Sequence, residues 1–197
     1  KAIHMCKDSG MKILVHLMQM LPGATPEDDI QTFDDFIYNP DYQVDEWKIY
    51  PTSVTTTSTK DIEDVNTVIE KWYNDGKYVP YPESELMEVI KYVKAAIHPY
   101  IRISRIFRDI PKPNIVGGAS IPHMRQVLQK EMAEDGLFCS CVRCCEVKDK
   151  VVEIDDIELV ERTYRGSGGQ EIFLSFESLE VNNQSKRTIH AFLRLRL

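Results

Sequence analysis

Four of the chain's five cysteines fall inside Cys139-Ser140-Cys141-Val142-Arg143-Cys144-Cys145, and the sequence changes character across them. Before them, apolar runs alternate with helix-like segments. After them, the pattern is β-rich with one Gly-rich turn. The C-x-C-x-x-C spacing brings the thiols of Cys139, Cys141 and Cys144 together on a tight loop, a donor set for a soft or borderline metal ion. The same spacing also suits reduced thiols filling a small turn. Three ligands are legible and a fourth is not.

At 197 residues there is room for one large or two small domains. A composition 43% hydrophobic and 28% charged is that of an ordinary globular protein. No apolar run approaches the roughly 18 residues of a membrane span, and no secretory signal precedes the first strand-like run. An odd, clustered set of cysteines argues against a disulfide framework and for a reducing compartment. The net charge of −7 gives no overall attraction to nucleic acid, so such contact needs a local basic patch. Residues 1–10 read as the tail of a helix closing at Gly10, and the last residues as a strand. Both ends therefore read as cut from something longer.

Met11 to Met18 is a nearly continuous apolar run, which predicts a strand buried on both faces, with His16 hydrogen-bonded inside the core. Thr25-Pro26-Glu27-Asp28 is a helix start, and Ile30, Phe33, Phe36 and Ile37 follow at helical spacing until Asn39-Pro40. Trp47 to Thr52 predicts a second strand, and residues 53–60 an exposed Ser/Thr loop. Residues 61–74 and about 83–97 predict helices, the first with Val65, Ile69 and Trp72 inward, the second with Leu86, Val89, Ile90, Val93 and Ile97. Tyr100 to Phe107 predicts a third strand. A loop through Gly117-Gly118 and a helix over about 120–134 follow. The alternation is that of a parallel α/β layer, in which ligands collect at the carboxyl ends of strands. Residues 151–164, 171–177 and 188–196 predict successive strands of another sheet.

Arg102, Arg105 and Arg108 place three cations in seven residues, with Asp109 following. Strand parity puts Arg102 and Arg108 on one face and Arg105 on the other. They suit a phosphate or carboxylate, or equally an internal Arg–Asp pair. Lys48 and Tyr50 share one side of the second strand. Trp72 and the Tyr78–Tyr81 region have the phasing of core rather than of a base-stacking platform. Cys6 reads as a buried small residue. Arg165-Gly166-Ser167-Gly168-Gly169 lacks the following helix that a phosphate loop needs and predicts a turn between strands.

In order along the chain, these motifs resemble one family, that of the catalytic subunit of Elongator. The resemblance runs through Cys6-Lys7-Asp8-Ser9-Gly10-Met11-Lys12, Leu21-Pro22-Gly23, Lys48-Ile49-Tyr50-Pro51-Thr52, and Arg102 through Pro111. It continues through Trp72, Gly76 and Tyr78, the Cys139/Cys141/Cys144 cluster, Gly168-Gly169, Phe173 to Glu177, and Phe192 to Arg196. The family joins a radical S-adenosylmethionine (TIM-like) barrel to a GNAT-like acetyltransferase domain and uses acetyl-CoA to modify the wobble uridine of tRNA.

The resemblance implies three parts. Residues 1–136 would be C-terminal strand–helix units of an incomplete barrel, 137–150 a Cys-rich zinc connector, and 151–197 the first strands of the acetyltransferase domain. It places Lys48, Tyr50, Arg105, Arg108 and Asp109 at the barrel mouth and zinc on Cys139, Cys141 and Cys144. It implies a 4Fe–4S cluster, S-adenosylmethionine and acetyl-CoA in a longer parent, with the cluster cysteines before Lys1 and the acetyl-CoA loop after Leu197. This segment alone would then be inactive. tRNA, other Elongator subunits and a homodimer partner are the implied partners, with no membrane. The cytoplasm is the implied compartment, with the nucleus second. Gln19-Met20 and Cys145 depart from the family's usual residues. Two other readings stay open: a catalytically silent zinc-stabilised module that binds RNA or protein, and an iron–sulfur redox element built on the cysteines.

Overall fold

The computed structural model describes residues 1–56, 67–108, 110–121, 123–148, 156–179 and 187–197. Helix α1 (Ala2–Asp8) leads to strand β1 (Leu14–Leu17), helix α2 (Pro26–Tyr38) and strand β2 (Glu46–Ile49). Strand β3 (Ser53–Thr55), helices α3 (Val68–Asn74) and α4 (Glu83–Ala96), strand β4 (Arg102–Ile106) and strand β5 (Ile115–Gly118) follow. After helix α5 (Met124–Glu134) comes α6 (Val142–Cys145), a single turn. The chain ends in β6 (Ile157–Gly166), β7 (Gly169–Leu179) and β8 (Arg187–Arg196).

β1, β2 and β4 form a parallel sheet in the order β1-β2-β4. The helix starts are those the sequence announces. Thr25 and Asp28 form a full capping box, with Pro26 in the first turn. Phe33 and Ile37 of α2 and Leu86, Val89, Ile90 and Val93 of α4 are buried against Trp47, Ile49 and Ile103 of the sheet. This is the core.

Several expectations need correction. β1 is the edge strand of its sheet, so Leu14 and His16 are exposed and only Leu17 is buried. His16 instead stands edge-on to Tyr50, ring centroids 5.1 Å apart. Ser53–Thr55 is not loop but pairs antiparallel with β5, formed from the Gly117-Gly118 segment. Glycine is required there, because a Cβ on Gly117 would lie 2.4 Å from the Tyr73 ring of α3. α3 rides on this two-stranded sheet rather than on the main core, which leaves Trp72 43% exposed. Tyr78, by contrast, is core, its hydroxyl donating to the Met20 carbonyl at 2.6 Å. Cys6 is only half-buried. Val65 lies outside the described residues, as do the first residues of the strand expected over 151–164.

The antiparallel sheet runs β6-β7-β8. The Gly-rich segment is the hairpin turn between β6 and β7, Gly166 paired with Gly169, with Ser167 and Gly168 both at positive φ. This sheet packs against the amino ends of the parallel strands. Tyr164 stacks flat on Tyr100 at 3.7 Å between centroids, and Phe173 is fully buried.

Candidate functional site

The carboxyl ends of β1, β2 and β4 all emerge at one edge of the parallel sheet, and three loops leave from there. Thr52 ties them together. Its N–H and hydroxyl both donate to the Gln19 carbonyl, at 2.9 and 2.7 Å, while its own carbonyl accepts from Ala119 N–H at 3.0 Å. Met20 and Phe107, just past the ends of β1 and β4, are both buried in the left-handed region (φ 58° and 71°). Such conformations cost roughly 1 kcal/mol or more each and persist where surrounding contacts impose them. At Met20 the contacts are visible. Its N–H donates to Asp29 Oδ2 at 2.9 Å, its carbonyl accepts Tyr78, and Tyr81 donates to the same Asp29 oxygen at 2.6 Å. Burial pushes the Asp29 carboxyl up, and these two hydrogen bonds only partly offset it.

On the face of the sheet turned away from α2 and α4, the register sets His16, Lys48 and Arg105 side by side across the three strands. Parity alone misplaces Arg105. Ser104 forms a bulge between the pairs Trp47–Ile103 and Lys48–Arg105, so the strand regains its phase one residue late. Arg102 and Arg105 therefore lie on the same face, beside Glu46 and Lys48. Arg102 is spent on a pair with Glu146 at 3.1 Å. Arg105 and Arg108 are exposed, and Tyr50 is half-buried at the end of β2. Asp109 lies outside the described residues.

β4 is the other edge of the sheet, and the cysteine turn covers it. Val142 N–H donates to the Ile101 carbonyl at 3.0 Å, and Arg125 of α5 donates to the Ile103 carbonyl at 2.7 Å. The Sγ atoms of Cys139, Cys141 and Cys144 lie within 4.8 Å of one another. Tetrahedral zinc with Zn–S bonds of about 2.3 Å holds sulfurs roughly 3.8 Å apart, so a small closure of this trio fits the ion. Among the described residues, no fourth His, Cys, Asp or Glu ligand atom joins them. Cys139 and Cys141 are buried and Cys144 is partly so. A cavity of about 150 Å³ beside them is lined by Lys94, Gln129, Met132, Phe138, Cys139 and Cys144.

Hydrogen bonds from Cys139 and Cys141 hold the Cys144 thiol well below its ordinary value, and Lys94 and Arg125 add to this. Bonds to the other two sulfurs, with burial, push the Cys139 thiol up. At Cys141 the Cys139 thiol pulls down, but the bond to Cys144 and burial outweigh it. Cys145 donates its thiol to the Cys139 carbonyl at 3.6 Å.

The radical SAM C-terminal domain model matches residues 44–134. The chain is 39% identical to a tRNA uridine(34) acetyltransferase of Methanocaldococcus jannaschii over its full length, and 33% identical to human Elongator complex protein 3 over 90% of it. It covers 35% of the first and 31% of the second. An archaeal Elp3 of Methanocaldococcus infernus, solved with its N-terminus (1–46) deleted, superposes with a TM-score of 0.84 at 39% identity. That match covers 99% of this chain and 44% of the other. The chain belongs to the Elongator catalytic-subunit family. It spans about a third of the length of these curated relatives. The α/β fold described above is shared with that archaeal structure. No described helix is long and apolar enough to cross a membrane.

What sequence reading missed was contextual. Asp29 and Thr52 organise the loops at the strand ends, yet nothing in the sequence separates Asp29 from its acidic neighbours in the first turn of α2. Lys94 reads as the polar member of an amphipathic helix and lies fully buried beside Cys144.

Proposed function

We propose that the chain is the central part of a tRNA wobble-uridine acyltransferase. Residues 1–136 belong to its barrel, 137–150 to a zinc connector, and 151–197 to the entry of a GNAT-like acetyltransferase domain. The observation that carries this is the row His16, Lys48 and Arg105, with Tyr50 and Arg108 close by, at the edge where the parallel strands end. A half-buried ammonium and an exposed guanidinium in register, Lys48 and Arg105, suit a phosphate backbone or the carboxylate of a cofactor. The Met20 turn, held by Asp29, and the Phe107 turn, whose N–H donates to the Ile49 carbonyl at 2.9 Å, fix where those groups stand.

Cys139, Cys141 and Cys144 hold zinc in this reading, and the ion supplies a crosslink between the two sheets' connector and the edge of β4. A 4Fe–4S cluster, S-adenosylmethionine and acetyl-CoA serve the parent protein and supply the radical and acyl chemistry. The residues of this chain position the nucleotide and exclude water around that chemistry. tRNA is the substrate, other Elongator subunits and a second copy are partners, and the cytoplasm, then the nucleus, is the compartment.

The test is tRNA-dependent release of CoA from acetyl-CoA by the full-length protein carrying Lys48→Ala with Arg105→Ala. The expected result is at least a tenfold loss in release and in modified uridine, with an unchanged melting temperature. Full activity in the double variant would overturn the assignment of this face.

A further inference from the structure

Three side chains from two helices converge on one sulfur. Lys94 Nζ of α4 lies 3.7 Å from Cys144 Sγ, Arg125 Nη1 of α5 3.7 Å, and Gln129 Nε2 of α5 3.8 Å. Each is an N–H donor at the range of a hydrogen bond to sulfur. Arg125 holds the Ile103 carbonyl of β4 with its other nitrogen. It therefore bridges the edge strand and the thiol.

Lys94 is the unusual member. It is 0% exposed, and among the described residues no carboxylate pairs with it. Burying an unpaired amine costs several kcal/mol, far more than a helix surface lysine is worth. A methionine or leucine would fill the same space without that cost. The compensating group within reach is the Cys144 sulfur. Three thiolates on a divalent ion leave one negative charge in excess, and donors placed on the sulfur answer that excess from outside the ligand sphere.

We propose that Lys94, with Arg125 and Gln129, forms the hydrogen-bonding shell that holds the Cys144 sulfur as a metal ligand, so that metal occupancy is coupled to the packing of α4 and α5 on β4. This rests on the reading of the cysteine trio as a metal site. Lys94 is a positioning residue here, since it acts through Cys144. Its side chain crosses from the helix layer to the sulfur beside the small cavity, so loss of the ion removes the group it serves.

The experiment uses the full-length protein and zinc itself. Zinc content is measured by elemental mass spectrometry, and affinity by competition with a chromogenic chelator, for the wild type, Lys94→Met and Lys94→Arg. Lys94→Met keeps the stem and removes the donors. It is expected to weaken zinc about 10- to 100-fold, while Lys94→Arg recovers most of that. The melting temperature of the zinc-free Lys94→Met protein is expected at or above that of the zinc-free wild type. A role in packing alone would lower both forms equally and leave zinc affinity unchanged, which would overturn the proposal. So would a Lys94→Arg protein as weak as Lys94→Met. A wild type holding no zinc at all overturns the metal reading itself, a different failure. Should Lys94→Met fail to fold, Gln129→Leu, at the exposed rim of the shell, is expected to speed zinc loss several-fold. Equal rates there would reject the shell.

Discussion

Charged side chains crowd both ends of the parallel strands, and the two ends use them in opposite ways. At the amino ends, Asp45 accepts from Lys7 at 3.5 Å, from Ile13 N–H at 2.7 Å and from Arg194. Glu171 accepts from Lys7 at 3.0 Å and from Arg196 at 2.8 Å. Lys7, Asp45 and Glu171 are almost fully buried, and Arg194 also lies over the Phe173 ring, 5.4 Å from its centroid. These groups neutralise one another across the seam between the two sheets. Towards the carboxyl ends, Arg105 and Arg108 are exposed and Lys48 is half-buried. In α/β layers, residues at the amino end serve stability and those at the carboxyl end serve chemistry. The lesson is that an arginine on a strand declares nothing by itself. Arg194 and Arg105 are alike in sequence context and differ in which end of a sheet they meet.

The sharpest way to break this comparison is to remove one charge from each end. Asp45→Ala would leave Lys7 and Arg194 short of a buried partner, and a broken buried pair costs about 3–5 kcal/mol. Lys48→Ala, on the face turned away from α2 and α4, is expected to change stability by no more than about 1 kcal/mol. Urea unfolding of the two variants measures both. Similar losses would mean that the two ends are not energetically distinct.

Much of this contrast lies beyond what the sequence displays. Local signals were legible: the capping box at Thr25, the apolar stripe of α4, the hairpin glycines, and the three cysteines whose spacing already places their thiols together. Contacts across long separations were not. Lys7 and Glu171 meet over 164 positions, and nothing near either one marks it as buried. Strand parity failed at Arg105 because a bulge adds one residue, and Ser104 carries no glycine or proline to announce it. His16 and Trp72 misled because an apolar neighbourhood predicts burial only when a second layer covers it. β1 is an edge strand, and α3 lies on a small two-stranded sheet.

The zinc site proposed at the cysteine trio extends the comparison, because it would bury charge of a third kind at the edge of β4. Cys141→Ser is expected to lose bound zinc and to lower the melting temperature by several degrees. A loss of 1 kcal/mol shifts the melting point by about 2–4 °C in a domain of this size. Hydrogen exchange should quicken in α4, α5 and β4 and stay unchanged in β6–β8. Unchanged zinc content, or a uniform loosening of the chain, would contradict a local crosslink.

The smallest expected effect is on the pH dependence of stability, where two buried carboxyls, Glu177 in the antiparallel sheet and Asp29 at the carboxyl ends, carry opposite signs. Burial pushes the Glu177 carboxyl in the antiparallel sheet up, but hydrogen bonds from Arg162 (2.5 and 3.0 Å) and Ser175 (2.6 Å) outweigh it and hold it below its ordinary value. A carboxyl lowered by folding stabilises fully above its unfolded value of about 4.3, and that contribution fades as pH falls through the lower folded value. Asp29, at the carboxyl ends, is raised by burial. Its ionised form is the one folding disfavours, so acidification through its raised value returns stability rather than removing it. Glu177→Gln should therefore flatten the loss of stability below about pH 4.3, whereas Asp29→Asn should remove a gain that runs from the raised value of Asp29 down to its unfolded value of about 3.9. Thermal melts at closely spaced pH values would measure both slopes. Slopes that move in the same direction would show that Asp29 is held at the loop by its ionised bonds to Met20 and Tyr81, not in spite of them.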